Sequence, residues 1–252
     1  MPAGEFQEQR SSIDFRLFLP ANDKGGPGKS TITSILFGYL LTLPGMAGRI
    51  KGIDADPKNS SFSRKYPDLV DLLNIQELKN ADGLVNPFEM GADIVVVDTR
   101  ASAMSDEDKG IKAWIDEVSL FAVAEENRIG ITFGAVVNHE SENIETLGET
   151  FESIREKGDW IIFRNFKGLD PLIWDRSDVR RDMLSLGIVE IEIPSIPKHF
   201  EQQMHVEKLA LENVKARNIA DIGRKRNFIA DLYGRLEVVK PLLVPDKLLA
   251  VA

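Results

Sequence analysis

Short apolar runs alternate along the chain with longer segments whose apolar positions recur every three or four residues. Residues 13–19, Ile-Asp-Phe-Arg-Leu-Phe-Leu, read as a strand. Ile32, Ile35, Leu36, Tyr39, Leu40 and Leu43 then mark one face of a helix that ends near Pro44-Gly45. Residues 49–54 read as a second strand, and a mixed segment follows with a short helix expected around residues 69–73. Asp93-Ile94-Val95-Val96-Val97-Asp98 is a continuous β-branched run of the kind buried on both faces of a parallel sheet. Beyond it the pattern predicts a helix over 106–122, a strand over 130–137 and a helix over 142–156. Strands over 160–163 and 188–193, separated by a helix over 179–186, complete the alternation, and 200–239 reads as mostly helical. Repeated β-then-α units predict an α/β fold: a doubly wound, mostly parallel sheet with helices on both faces. Ligands of such sheets gather outside the carboxyl ends of the strands. With no internal repeat or linker, the expected organisation is one domain over 1–252, mostly helical from about residue 198. The fairly apolar stretch 238–252, interrupted by Pro241 and Pro245, reads as a docking tail.

Between the first strand and the first helix lies Ala21-Asn22-Asp23-Lys24-Gly25-Gly26-Pro27-Gly28-Lys29-Ser30-Thr31. A strand, a glycine-rich turn and a helix opening with Gly-Lys-Ser-Thr form the context of a phosphate-binding loop. Gly25, Gly26 and Gly28 let successive N–H groups point inward and leave room for an anion, to which the helix N-terminus adds partial positive charge. Lys29 would reach the β- and γ-phosphates, the Ser30 hydroxyl would ligate Mg²⁺, and Thr31 would lie beside the α-phosphate. Asp23 stands where the usual motif has its first glycine, and Pro27 has no N–H to donate. Two more strands end in carboxylates at the same edge, at Asp54-Ala55-Asp56-Pro57 and at Asp98. An aspartate after Val-Val-Val is the Walker B arrangement, holding Mg²⁺ directly or through water, and Asp56 is then free to orient the attacking water. Each aspartate alone also reads as a strand terminator or helix cap.

Lys24-Gly25-Gly26-x-Gly28-Lys29-Ser30 resembles the deviant Walker A loop of the ParA/MinD-type ATPases, Asp54-Ala55-Asp56-Pro57 their D-x-D-P, and Val97-Asp98-Thr99 their switch II. The resemblance spans roughly residues 13–220. It implies a P-loop NTPase fold, ATP and Mg²⁺ as ligands, slow, partner-stimulated hydrolysis, and a homodimer formed on ATP in which Lys24 touches the partner's nucleotide. It also implies that Asp56 serves hydrolysis and Asp98, with Ser30 and Asp56, the metal. Arg100-Ala101 stands after Thr99 where many relatives have the glycine of a D-x-x-G switch. For the base, the resemblance points to Asn165 and to Pro194, Ile196 and Pro197; Asn165 alone reads equally as a turn residue before Gly168. No Asn-Lys-x-Asp guanine signature follows Asn165, which favours ATP over GTP. Short strings, including Asn22-Asp23-Lys24-Gly25-Gly26 and Asn165-Phe166-Lys167-Gly168, resemble the conjugal-transfer TraL-type branch, implying a role in plasmid transfer or segregation.

Composition narrows the partners. A net charge of −9 argues against a chain coated in basic residues, yet Lys208, Lys215, Arg217, Arg224, Lys225 and Arg226 crowd one segment. That run reads either as a solvated helical face or, through the resemblance, as a non-specific DNA contact made by Lys215, Arg217, Arg224, Lys225 and Arg226. Zero cysteines exclude disulfides and thiolate clusters and fit a reducing compartment. With residues 1–9 polar and no run able to span a bilayer, the expected location is cytoplasmic without stable membrane association. His139, His199 and His205 lack metal-site spacing, and Trp114, Trp160 and Trp174 read as packing residues. Two rivals to an ATP-driven switch acting on an unidentified protein partner remain: an ATP-dependent ligase or synthetase, and a MinD-like membrane-positioning ATPase.

Overall fold

The computed structural model describes residues 12–22, 28–74, 83–100, 115, 119–138, 141–165 and 172–252. Its strands are β1 (Phe15–Pro20), β2 (Ile50–Ala55), β3 (Val70–Leu72), β4 (Ile94–Thr99), β5 (Ile129–Val137), β6 (Asp159–Asn165) and β7 (Val189–Ile193). All are parallel neighbours in one seven-stranded sheet of order β3-β2-β4-β1-β5-β6-β7. The winding reverses at β1, which lies between β4 and β5, so the carboxyl end of β1 opens into the crevice where ligands of such sheets bind.

The described helices are α1 (Lys29–Thr42), α2 (Ser61–Lys65), α3 (Asn86–Glu89), α4 (Leu120–Glu126), α5 (Ser141–Ile154), α6 (Leu172–Asp175), α7 (Asp178–Ser185), α8 (Lys198–Val206), α9 (Ile219–Leu236), α10 (Lys240–Leu243) and α11 (Asp246–Leu249). Alternate strand residues divide between two cores, as the period of two requires. Phe18, Val96, Val136 and Phe163 pack with Ile35, Leu36 and Leu40 of α1 on one face. Leu17, Val95, Ala135 and Ile162 pack with Leu147 and Phe151 of α5 on the other.

Three expectations change. Residues 69–73 do not form a helix: Val70, Asp71 and Leu72 pair with Gly52, Ile53 and Asp54 as the edge strand β3. Such a short apolar run carries too few residues for its period to decide, and the turn of helix falls earlier, at α2. The helix α1 is buried on every side from Ile32 to Leu40 rather than on one face, because the chain's last third covers its outer side. Gly38 makes that cover possible, since a Cβ there would lie 2.0 Å from Glu212 Oε1. Between α8 and α9 the mostly helical region is broken by non-helical chain with one 3-10 turn, Leu211–Asn213. The stretch read as a docking tail packs on the chain's own sheet: Leu243, Val244 and Leu248 are buried, and the Arg16 guanidinium donates to Pro241 O at 2.9 Å. Of the helix expected over 106–122, most falls outside the described residues; α4 starts only at Leu120, after Ser119 with φ 51°, and runs to Glu126. Trp160 and Trp174 are buried packing residues, whereas Trp114 and His139 lie outside the described residues.

Candidate functional site

The loop residues 23–27, including Lys24, Gly25, Gly26 and Pro27, lie outside the described residues, but both flanks are fixed. On the strand side Ala21 N donates to Gly134 O at 2.9 Å, the last rung of backbone pairing with β5. Asn22 then extends the ladder with its side chain: Nδ2 donates to Val136 O at 3.0 Å and Oδ1 accepts from Val136 N at 2.5 Å. A primary amide carries one donor and one acceptor in the geometry of a peptide group, so the backbone can leave the sheet here while the rung is still made. On the helix side Gly28 caps α1 with φ 112°, a left-handed conformation that favours glycine. A Cβ on Gly28 would also lie 2.7 Å from Asn165 Nδ2. The structure therefore brings Asn165, from the end of β6, against the loop. Lys29, Ser30 and Thr31 form the first turn of α1, whose leading N–H groups have no partners within the helix.

Asp54 and Asp98 are register partners on β2 and β4, and both are fully buried. Their surroundings differ. Asp54 is taken up by its own chain: Oδ1 accepts from Asp56 N at 3.1 Å, and Oδ2 accepts from Phe62 N at 3.0 Å, Ser63 N at 2.9 Å and Ser63 Oγ at 3.1 Å. That carboxylate caps α2. Neither oxygen of Asp98 has a hydrogen-bond partner of ordinary geometry among the described residues. Burial pushes its carboxyl up to about 7; the Ser30 hydroxyl opposes this most, Asp54 reinforces it, and Lys65 and Lys29 pull it back. A buried carboxylate so poorly compensated, facing the hydroxyl and lysine of the α1 first turn, suits a divalent cation held jointly with phosphate oxygens. Asp56, just past β2, is nearly buried and is not free as its sequence position suggests. Its Oδ2 accepts from Asn59 Nδ2 at 2.6 Å and its Oδ1 from Asn59 N at 3.3 Å, within a tight turn.

On the other side of β1, Asn165 pairs in register with Ile193, so Pro194 leaves β7 directly beside it, and Ile196 and Pro197 lead into α8. The segment 166–171 lies outside the described residues, but its two ends are tied: Arg164 Nη2 donates to both carboxylate oxygens of Asp175, at 2.8 and 3.0 Å.

Sequence reasoning missed Lys65. It is 6% exposed, and its ammonium donates to Ser34 Oγ at 3.0 Å. Burial lowers its pKa to about 8 against the pull of Asp98, Glu212 and Asp54, with Lys208 adding to the fall. In Ser63-Arg64-Lys65 nothing marks the third residue as the inward one, apart from its place three after the buried Phe62. Among the basic residues of the C-terminal part, Lys215, Arg217, Arg224 and Arg226 are exposed. Lys225 is a correction: its ammonium turns inward and donates to Glu212 O at 2.5 Å and Val214 O at 2.8 Å, holding the chain that precedes α9. Arg224 and Arg226, two positions apart, point about 200° from each other around the helix axis, which spreads rather than concentrates their charge.

No family model matches the chain, and no curated protein matches it. Solved structures do. A MinD cell division protein of Aquifex aeolicus superposes with a TM-score of 0.52 at 16% identity, over 89% of this chain and 97% of that one. A chain of the Aquifex aeolicus MinC:MinD cell division protein complex gives 0.50 at 15% identity, over 89% and 96%. The likeness is one of fold. At this identity it says nothing of individual side chains.

Proposed function

We propose that the chain is an ATP-hydrolysing switch of the ParA/MinD type, binding Mg-ATP at the carboxyl end of β1. The observation that carries this reading is Asp98: a fully buried carboxylate without ordinary hydrogen bonds among the described residues, facing Ser30 and Lys29 at the start of α1. In this reading the N-terminus of α1 and the loop hold the phosphates, and Lys29 neutralises them. Ser30 and Asp98, with Asp56 nearby, would hold Mg²⁺, which supplies charge neutralisation at the phosphate oxygens. Asp56, fixed by Asn59, orients water, and Asn165 with the 194–197 turn receives the base. Lys24 acts across an ATP-dependent homodimer. A role in plasmid transfer or segregation follows the resemblance of the short loop strings, and non-specific DNA contact would use Lys215, Arg217, Arg224 and Arg226. The MinD fold likeness supports a protein partner as well, since one of the matched structures is a complex with MinC.

The rival ligase reading needs an acceptor pocket beside the γ-phosphate. The membrane reading needs an apolar surface to insert. Among the described residues no helix is long and apolar enough to cross a membrane, and the last helices bury Leu243 and Leu248 within the fold. Calorimetric titration with Mg-ATP tests the proposal. The wild type should bind, and Lys29→Ala should lose at least about 100-fold in affinity, as expected on removing a charge-assisted phosphate contact. Equal affinity in the two proteins would remove Lys29 from the site. Sizing with ATP, ADP and no nucleotide separates the classes: an ATP-only dimer marks the switch, a nucleotide-indifferent species the ligase.

A further inference from the structure

Helix α2 is one turn long, too short to hold itself in place, yet it carries the chain away from Asp56. Both of its ends are fixed to buried groups. At the first end the Asp54 carboxylate takes Phe62 N, Ser63 N and Ser63 Oγ. At the second end two side chains converge on one residue of α1: Lys65 Nζ donates to Ser34 Oγ at 3.0 Å, and the Tyr66 hydroxyl, whose one proton is shared between two acceptors, lies 3.0 Å from Ser34 O and 3.2 Å from Glu212 Oε2. Ser34 is 1% exposed, and its hydroxyl donates in turn to Ser30 O at 2.6 Å. Since an ammonium can only donate, Lys65 leaves the Ser34 hydroxyl proton directed at Ser30, the residue that opens toward the phosphates. The turn holding Asp56, in which Asn59 N and Ser60 N both donate to Asp56 O, is therefore suspended between β2 and a brace that ends on the phosphate-loop helix.

We infer that Lys65 is a positioning residue: through Ser34 it fixes α2 to α1 and so holds the Asp56 carboxylate in register with Ser30. The inference rests on the Mg-ATP reading above for what Asp56 does, but the brace itself is a property of the nucleotide-free chain. An aliphatic residue would bury more cheaply at this position, because a lysine ammonium is costly to desolvate. A buried lysine that, among the described residues, meets a hydroxyl rather than a carboxylate at bonding distance is a weak choice for stability alone. It makes sense where direction and reach are needed.

The test uses Lys65→Met, which keeps the length and apolar stem, and Ser34→Ala, which removes the hydroxyl that accepts from Lys65 and donates to Ser30 O and maintains a helix-forming residue. Two quantities are measured on the full chain: amide hydrogen exchange of segment 56–63 without nucleotide, and single-turnover phosphate release beside the affinity for Mg-ATP. In folded variants, exchange over 56–63 should rise about tenfold or more while the central strands stay protected. Phosphate release should slow by about 10- to 100-fold, as expected for a misplaced catalytic group, with Mg-ATP affinity kept within about threefold. Wild-type exchange over 56–63 in either folded variant overturns the brace. Raised exchange with release at the wild-type rate overturns the positioning role. Should Lys65→Met not fold, Ser34→Ala decides on the same readouts. Failure of the wild type itself to bind Mg-ATP is a different result, seen without any variant; it defeats the parent reading and the catalytic half of this one, while the exchange result still decides the brace.

Discussion

The two ends of the sheet treat charge in opposite ways. At the amino ends of the strands the ionic groups are partnered by the chain itself. Arg16 meets Asp159 at 2.7 Å, Arg49 meets Asp93 at 2.7 Å, Lys247 meets the other oxygen of Asp93 at 2.5 Å, and Arg128 meets Asp14. At the carboxyl ends Asp98 lies fully buried without ordinary hydrogen-bond partners among the described residues, and the nearly buried Lys65 ammonium donates to the Ser34 hydroxyl. Folding alone explains the first arrangement, because a buried charge must be matched. It does not explain the second, in which burial costs are left standing unless a ligand arrives. The difference separates residues that build the sheet from residues that wait at its edge.

The sharpest way to break the comparison is to unpair the finished edge. Arg16→Ala removes the guanidinium that pairs with the partly buried Asp159 and also deprives Pro241 O of its donor. A loss of about 3–5 kcal/mol in unfolding free energy is expected from breaking one side of a buried pair. Chemical denaturation checks this, and Mg-ATP affinity of the folded fraction should be unchanged.

Removing the charge at the other edge should act in reverse. With Asp98 pushed from 3.8 to about 7 in the folded state, the folded protein keeps a proton that the unfolded chain has already released. Its contribution to stability is therefore complete below about pH 4 and is lost as pH rises through 7. Asp98→Asn, carrying no charge to bury, should then unfold at higher temperature than the wild type at pH 8 in EDTA. The gain is at most about 4 kcal/mol, from roughly three pKa units, and should vanish near pH 4. The same variant should lose the Mg²⁺-dependent part of nucleotide affinity. Thermal unfolding at the two pH values, with and without Mg²⁺, reads both; a variant less stable at pH 8 would place Asp98 among the builders.

The smallest effect concerns the basic residues of the C-terminal part. Arg224→Glu/Arg226→Glu should abolish a weak, ATP-dependent association with duplex DNA that falls steeply with salt. Lys225, whose ammonium holds two carbonyls, should when changed to Met cost stability and leave the salt dependence alone. Titration of labelled duplex at two salt concentrations, with ATP and with ADP, distinguishes them. No ATP-dependent binding at low salt, in a preparation that dimerises, would turn the search to a protein partner.

Much of this division could be read from sequence, because it follows local pattern. The β-branched run into Asp98, the glycine-rich turn before α1 and the strand–helix alternation all depend on neighbours within a few residues. What could not be read depends on long-range contact. Asp54 and Asp56 look alike in Asp54-Ala55-Asp56-Pro57, yet one caps α2 and the other closes a turn with Asn59. Lys65 and Lys225 look like surface charges until Ser34 and Glu212 are placed beside them. The edge strand β3 exists because β2 offers it a partner, not because Val70-Asp71-Leu72 has any strong preference.

The seam under the amino edge also bears on how the chain acquires its shape in time. Ile13 N donates to Asp246 Oδ2 and Asp246 N to Ile13 O, a contact across 233 positions of sequence, and the Thr132 hydroxyl donates to Leu242 O. The central strand is thus sealed by chain that follows every other strand of the sheet. A growing chain holding β1 to β7 would still lack the lysine for Asp93 and a carbonyl acceptor for Arg16. Closing so long a loop is entropically slow, so this seam is expected to close after the local strand pairings.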